Sequence, residues 1–392
     1  MRYLEKLLEG VEVEWKALGE VCDFQNGFAF KSNLFKDSGL PIVRITNIDD
    51  SNVDLTDVKY FDSIDYNTGN PLNYPIEKGD VLIAMSGATT GKIGYYNLNE
   101  TAYLNQRVGK FIPKKTLLDN RYLYHFLLTK VDFLYTLAGG GAQPNLSSNS
   151  LKEKILIPIP SLEIQKEIVR ILDTFTELTA ELTAELTARK KQYNYYREKL
   201  LSFEEGEVEW RTLGEIGEYS KMRVGASSID KSNYIGVDNL LQNRAGKTDS
   251  NYVPSEGNLT GYCPNDILIG NIRPYLKKIW HADRIGGTNG DVLVIQLKNK
   301  NINPRYLYQV LADDSFFEYN MQYAKGAKMP RGNKDKIMEY LIPVPSLKEQ
   351  VRIVSILDKF DTLTTSISEG LPKEIELRKK QYEYYRDMLL TF

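Results

Sequence analysis

The stretch IPIPSLEIQKEIVRILDTFTELT at residues 157–179 returns as IPVPSLKEQVRIVSILDKFDTLT at 342–364, with 14 of 23 positions identical. KKQYNYYREKLLSF at 190–203 returns at 379–392 as KKQYEYYRDMLLTF, with 10 of 14 identical, and VEWKALGE at 13–20 returns as VEWRTLGE at 208–215. Between these borders the two copies hardly agree. Matching frames around different inserts suit two related modules that read two different targets. A repeat of this length decides the architecture before any other feature does.

The frame segments read as helices. Ile168, Ile171, Leu172, Phe175, Leu178, Leu182 and Leu186 recur at spacings of three and four, and Tyr193, Tyr196 and Leu200 continue the stripe. The second copy places Ile353, Ile356, Leu357, Phe360, Leu363 and Ile367 in the same way, then Tyr382, Tyr385 and Leu389. An apolar face this long suits helix-on-helix packing. Ser161 and Ser346 stand as N-caps after Pro-x-Pro, and Glu349 is placed to complete a capping box that the first copy, with Ile164, lacks. The first helix carries the tract TAELTAELTA at 179–188. Each four-residue unit advances a helix by roughly 6 Å and turns it by about 400°, so the leucine stripe drifts only ~40° per unit. From Leu162 to Lys190 there are 28 positions, and from Leu347 to Lys379 there are 32. In the longer copy Gly370 suits a helix C-terminus and Pro372 the first turn of a new helix. The spacing predicts one continuous helix over 161–203 and a broken one over 346–392.

YLEKLLEG at Tyr3 resembles YREKLLSFEEG at Tyr196, so the chain begins with the tail of one repeat unit and finishes with the tail of another. Two helices running in opposite directions, with one globular module at each end, is the simplest closed form. The inserts, about 10–157 and 205–342, mix strands with Gly-rich turns. VLIAMSGATTGKIGYY in the first faces DILIGNIRPYLKKIW in the second, and NRYLYHFLL faces NPRYLYQVL. One α/β fold with divergent loops is expected in both. The expected class is α+β, with a pseudo-two-fold internal repeat and two modules joined by two long antiparallel, coiled-coil helices. The modules span 1–160 and 204–345, with spacer helices at 161–203 and 346–392.

Composition narrows the function. The net charge of −2 argues against a binder held to nucleic acid by charge alone, but not against a reader whose basic loops are offset by acidic helices. No apolar run is long enough to cross a membrane, and MRYLEKLLEG is a charged amphipathic stretch rather than a signal peptide. Cys22 and Cys263, one per half, fit a reducing cytoplasm and exclude a disulfide framework or a four-cysteine zinc site.

No catalytic constellation and no metal motif stands out. His125 and His281 occupy non-equivalent places and read as structural residues. There is no H-E-x-x-H, no G-x-S-x-G and no amino-methyltransferase motif. SGATTGK at 86–92 lacks the Ser/Thr that should come after the lysine of a phosphate loop. Binding chemistry is better represented. Gly-rich turns approach a DNA backbone closely, and polar side chains at their tips reach phosphates or base edges. The candidate contacts in the first insert are Ser86, Thr89, Thr90, Lys92, Arg107, Gln143 and Asn145. Those in the second are Lys221, Arg223, Arg273, Lys277, Lys328 and Arg331, the last two in the loop KGAKMPRGNK at 325–334. Tyr193, Tyr196, Tyr382 and Tyr385 read as seam residues.

The doubled IPxPSLxxQ frame, the doubled KKQYxYYRxxLL ending, the TAEL tract, the VEWxxLGE starts and the SGxxxGK turn resemble the specificity subunits of type I restriction–modification enzymes. The resemblance covers the whole chain. It implies two target-recognition domains, each reading one half of a bipartite double-stranded DNA site, with the helices setting the gap between the halves. It implies a cytoplasmic, non-catalytic subunit that binds no cofactor. Two methyltransferase subunits would dock on it and bring S-adenosylmethionine, and restriction subunits would bring ATP and Mg. Asn271-Ile272-Arg273 stands where the first insert has Ser86-Gly87-Ala88, a departure between the two turns. Two other readings stay open at this point: an enzyme in its own right, such as a methyltransferase, and an interaction scaffold with no DNA role.

Overall fold

The computed structural model describes residues 7–49, 51–139, 144–204, 206–298, 300–366 and 369–392. The opening residues 1–6 and the candidate Gln143 lie outside the described residues. The class is α+β, and the chain forms two compact units. One comprises Met1–Thr179 with Leu377–Phe392, the other Ala180–Glu376.

In the first unit a six-stranded sheet runs in the order Cys22–Asn26, Val108–Pro113, Val81–Ala84, Ile93–Tyr95, Asn52–Val53 and Ile48–Asp49. A four-stranded sheet is ordered Lys59–Phe61, Leu40–Val43, Ala102–Leu104 and Pro75–Ile76. The second unit repeats the plan with two four-stranded sheets. One is ordered Gly217–Tyr219, Val292–Leu297, Ile267–Gly270 and Ile279–His281, the other Arg223–Gly225, Asn258–Tyr262, Gly286–Thr288 and Tyr234–Ile235. Val81–Ala84 and Ile267–Gly270 are buried along their whole length, which is why both read as short unbroken apolar runs.

The repeated words in the sequence are the fittings that close each unit. Glu14–Ala17 pairs antiparallel with Leu156–Ile159, and Glu209–Thr212 pairs in the same register with Leu341–Val344. Each two-stranded ribbon ties the start of an insert to its end. Beneath it, the Tyr122 hydroxyl donates to Pro158 O at 3.0 Å, and the Tyr306 hydroxyl to Pro343 O at 3.0 Å. The glutamine of IPxPSLxxQ is fully buried in both copies. Gln165 donates to Leu117 O (2.8 Å) and Pro160 O (2.9 Å) and accepts from Asp119 N–H (2.8 Å). Gln350 does the same with Asn301 O (3.1 Å), Pro345 O (2.9 Å) and Asn303 N–H (2.8 Å). Three hydrogen bonds from one buried amide explain why that residue recurs.

Leu162–Leu201 is a single 40-residue helix. The threonines of its TAEL tract are tolerated because they donate back one turn, Thr179 to Phe175 O at 2.8 Å and Thr187 to Thr183 O at 3.0 Å. The second copy is two helices, Leu347–Thr365 and Gly370–Leu390. Gly370 has φ of +78°, and a Cβ there would meet Thr362 O at 2.3 Å, so only glycine fits this turn. Ser161 and Ser346 cap their helices, accepting from Ile164 N–H (3.4 Å) and Glu349 N–H (3.3 Å). The expected reciprocal bond from Glu349 is not made. Its carboxylate is held by Arg352 three residues on, at 2.6 Å, and an exposed ion pair one turn away outcompetes the cap.

Each unit is closed by helix from the other repeat. In the first, Leu389 and Leu390 share the core with Ile168 and Leu172, and Tyr385 stacks on Phe175 with ring centroids 5.2 Å apart. In the second, Tyr193 is buried with Leu307, Leu311, Ile353 and Leu357, and both Tyr193 and Tyr196 stack on Phe360 at 5.6 Å. Tyr193, Tyr196, Tyr382 and Tyr385 are therefore seam residues, with Tyr196 still 37% exposed, whereas Tyr195 and Tyr384 stand out at 58% and 60%.

Both histidines have structural surroundings. His125 is fully buried, with Nε2 at 2.8 Å from Asp173 and Nδ1 at 2.8 Å from the Tyr382 hydroxyl. Burial holds its pKa below the ordinary value against the pull of Asp173. His281 has a buried Nε2 with no hydrogen-bond partner among the described residues. Burial first, then the Arg305 guanidinium, lower its pKa to about 4, against weaker opposing pulls from Asp358 and Asp283. The folded unit thus keeps His281 neutral, while the unfolded chain takes up a proton near pH 6.5. Its contribution is present above that pH and is lost as pH falls toward 4. With its residual solvent contact allowed for, about 2 kcal/mol is at stake. Chemical denaturation across this window should show a shallower acid loss for His281→Phe than for the parent. Equal slopes would refute the assignment.

Candidate functional site

The first unit gathers Ser86, Arg107 and Asn145 at one cleft of about 650 Å3, together with Asn26, Met85, Gly87, Gln106, Pro144 and Leu146. Three chain segments meet there. The strand Val81–Ala84 ends in the Gly-rich turn, and Met85 N–H donates to Arg107 O at 2.8 Å. Leu146 N–H returns to Met85 O at 2.8 Å, and Ser86 forms a β-bridge with Asn145. The turn that carries Arg107 is set by Asn105, whose Oδ1 accepts from Arg107 N–H at 3.3 Å. Arg107 and Asn145 are exposed, and among the described residues the buried Ser86 hydroxyl has no partner.

Thr89, Thr90 and Lys92 do not join this group. Thr90 is buried and donates to Gly87 O (2.6 Å) and Pro144 O (3.2 Å), so it holds the turn from beneath instead of reaching outward. Thr89 donates to Ile45 O at 3.3 Å. Thr89 and Lys92 line a separate, smaller cleft with Asp49, Asp54 and Asp57, whose carboxylates would repel a phosphate.

The second unit builds the same frame from other side chains. Asn271 N–H donates to Asp291 O at 2.8 Å, Gly332 N–H to Asn271 O at 3.1 Å, and Ile272 bridges Arg331. Arg273 N–H donates to Pro330 O at 2.7 Å, as Gly87 N–H does to Pro144 O at 3.3 Å. The turn below is again set by an asparagine, Asn289 Oδ1 accepting from Asp291 N–H at 3.1 Å. These bonds pair Met85 with Asn271, Ser86 with Ile272, Arg107 with Asp291 and Asn145 with Arg331. The sequence alignment of Ser86 with Asn271 is therefore out by one residue. A slip of that size exchanges the residue that faces the cleft.

The remaining candidates scatter. Lys277 is tied to Asp314 at 2.7 Å, beside Arg244, which pairs with the same carboxylate. Arg273 and Lys277 both have left-handed backbone, φ of 53° and 51°, flanking the short turn Pro274–Leu276. Lys221 is exposed and pairs with Glu218, and Arg223 donates to the hydroxyl of Thr260, its cross-strand partner, at 2.8 Å. Lys328 is exposed in the loop that carries Arg331. Asn26 and Asp291 were missed by sequence reading. Asp291 was detectable by setting NQRV at 105–108 against NGDV at 289–292.

Among the described residues no cluster of three or more His, Cys, Asp or Glu side chains could hold a metal, and no helix is long and apolar enough to cross a membrane. A family model, "Type I restriction modification DNA specificity domain", matches residues 10–189 and again 205–377. The chain is 37% identical over 412 residues to the type I restriction enzyme EcoR124I/EcoR124II specificity subunit of Escherichia coli, covering 100% of this chain and 97% of that protein. It is 33% identical over 425 residues to a putative type I restriction enzyme specificity subunit of Haemophilus influenzae, covering 100% and 98%. Its fold is similar to the crystal structure of the type I restriction–modification S subunit from M. genitalium, with TM-score 0.59, 18% identity, and 97% and 96% of the two chains covered.

Proposed function

The chain belongs to the type I restriction–modification specificity subunits, with two target-recognition domains, and we propose that each domain reads one half of a split DNA site through its turn-and-loop cleft. The observation that carries this is the shared backbone frame fitted with unlike side chains. Ser86, Arg107 and Asn145 occupy it in the first unit, and Ile272, Asp291 and Arg331 in the second. A fixed frame with exchanged polar groups is what two readers of different base sequences require. Membership in the family leaves no place for a scaffold without a DNA role.

In this reading Arg107, Asn145 and Arg331 face base edges, and Lys221, Arg223, Arg273 and Lys328 serve the phosphates. The chain supplies recognition rather than catalysis. Methyltransferase subunits, two per chain, dock on it and bring S-adenosylmethionine, and restriction subunits bring ATP and Mg. The complex acts in the cytoplasm, where its DNA is. The long helix acts as a ruler that fixes the gap between half-sites. The deciding experiment is a genome-wide map of methylated bases in the host, with and without this gene. Two short fixed halves, a fixed gap and adenine methylation on both strands, all vanishing on deletion, are expected. A map unchanged by deletion would overturn the reading.

A further inference from the structure

We propose that Arg331, held in place by Asp291, reads a guanine in the half-site of the second domain, with Asp291 as its positioning residue. The inference rests on the DNA-reading role of the chain and names the base chemistry of one of its two sites.

Arg331 Nη1 lies 2.6 Å from Asp291 Oδ1. The pair sits at the surface, the arginine side chain 55% exposed and the aspartate 33%. Its two members are forty residues apart and are strapped to the same backbone unit. Asn271 donates its N–H to Asp291 O (2.8 Å) and accepts from Gly332 N–H (3.1 Å). Arg331 is fixed a second time by a two-way bridge to Lys325, N–H to O at 2.8 Å and 2.9 Å. Gly332 packs so closely that a Cβ would lie 2.3 Å from Asn320 Oδ1 and 2.7 Å from Asn271 Oδ1. The backbone that carries Arg331 therefore has little freedom, as a base-reading group requires.

The chemistry then separates base from phosphate. A guanidinium has five donors in a planar fork, and engaging Nη1 leaves the Nε–Nη2 edge free for two parallel acceptors. Guanine presents such a pair in the major groove, N7 and O6. A phosphate would gain less here. The paired carboxylate cancels the charge that draws an anion and repels it directly, but costs a neutral base edge nothing of that kind. The carboxylate also fixes the side chain before DNA arrives, which reduces the ordering cost of binding. In the first unit the same two positions carry Arg107 and Asn145, and among the described residues no carboxylate pairs with Arg107. The aspartate buttress thus belongs to one domain's target rather than to the shared frame.

The test uses the full complex with its methyltransferase subunits, the map of methylated sites, and equilibrium binding to DNA duplexes varied one base pair at a time. The parent complex should require guanine at one position in one half-site. Arg331→Gln and Arg331→Lys should each lower that preference by about ten- to a hundredfold, leaving the other half-site as selective as before. Retention of the other half, with an unfolding midpoint near the parent's, reports that the variants are folded. Asp291→Asn should weaken the same preference and steepen the salt dependence by about one released counterion, because the freed arginine then answers to phosphate. Loss of affinity spread evenly over all sequences, with a shallower salt dependence for Arg331→Gln, would overturn the proposal in favour of a phosphate contact. A split motif that every variant leaves intact would overturn this assignment alone. A parent complex with no split motif would overturn the function itself, and this assignment with it.

Discussion

One further Thr-Ala-Glu-Leu unit inserted after Leu186 should widen the preferred gap between half-sites by one or two base pairs. The tract lies within an unbroken helix, so four added residues lengthen it by roughly 6 Å and rotate the helix beyond the insertion by about 400°. A base pair rises 3.4 Å, so length alone asks for about two more pairs. Rotation gives a different answer. The surplus of ~40° beyond a full turn matches the twist of about one base pair, given roughly ten per helical turn. The size of the shift therefore reports whether separation or angle governs the match. Since each base contact is worth about 1–3 kcal/mol, losing one half-site's contacts should cost the parent spacing about a hundredfold or more in affinity. Binding to duplexes of stepped gap length would measure it. An insertion mutant that keeps the parent motif would sink the ruler.

Arg197→Ala should destabilise the second unit by about 3–5 kcal/mol, the cost typical of removing one partner from a buried charged network. Arg197 is 5% exposed. It donates to Gln309 O at 2.7 Å, to the Gln309 side-chain oxygen and to the Tyr193 hydroxyl. Tyr193 passes the chain on to Asp361 at 2.5 Å, and Gln309 donates to Asp358 (2.6 Å) and Asp361 (2.9 Å). Arg305 completes the set on Asp358 at 2.9 Å. Truncation would leave the Gln309 oxygens buried and unmade, and lysine, with one point of charge, cannot span both. The corresponding residue of the other copy, Arg386, bonds to its neighbour Asp387 at 3.0 Å, lies over the Tyr382 ring at 5.6 Å and keeps 16% of its side chain exposed. Arg386→Ala, which removes one ion pair and the contact with Tyr382 but no buried network, should cost less, about 1–2 kcal/mol. Denaturant unfolding of both variants would check the contrast. Equal losses would show that Arg197 carries no special weight.

The frame of each unit was legible in the sequence because it is written twice, although many of its bonds span more than forty residues. Gln165 and Gln350 act within five residues of Pro160 and Pro345, and the apolar stripe of the long helix runs at a period that any window reveals. The reading surface was not. Arg331 meets Asp291 across forty residues, through strands of two to six residues too short to show alternation. The slip between Ser86 and Asn271 arose because both turns come after a buried apolar strand. Only the cross-strand bonds to Arg107 and Asp291 set the register. Thr90, a polar residue in a Gly-rich turn, reads as a tip until the turn is seen to wrap over it. Glu349 had two partners within reach, and pattern alone does not rank them.

The division of the chain has a consequence for synthesis. The second unit, Ala180–Glu376, is contiguous, whereas the first needs Leu377–Phe392 to complete its core. At translation rates of about 5–20 residues per second, roughly 10–40 s pass between emergence of the first unit's helix and arrival of the segment that covers it. Throughout that interval Ile168 and Leu172 lack the cover that Leu389 and Leu390 will give. The usual order, N-terminal part first, is thereby reversed, and the half of the protein made first is the half finished last. A ribosome stalled late in the message would hold a mature second module beside an open first one, the species on which a chaperone would act.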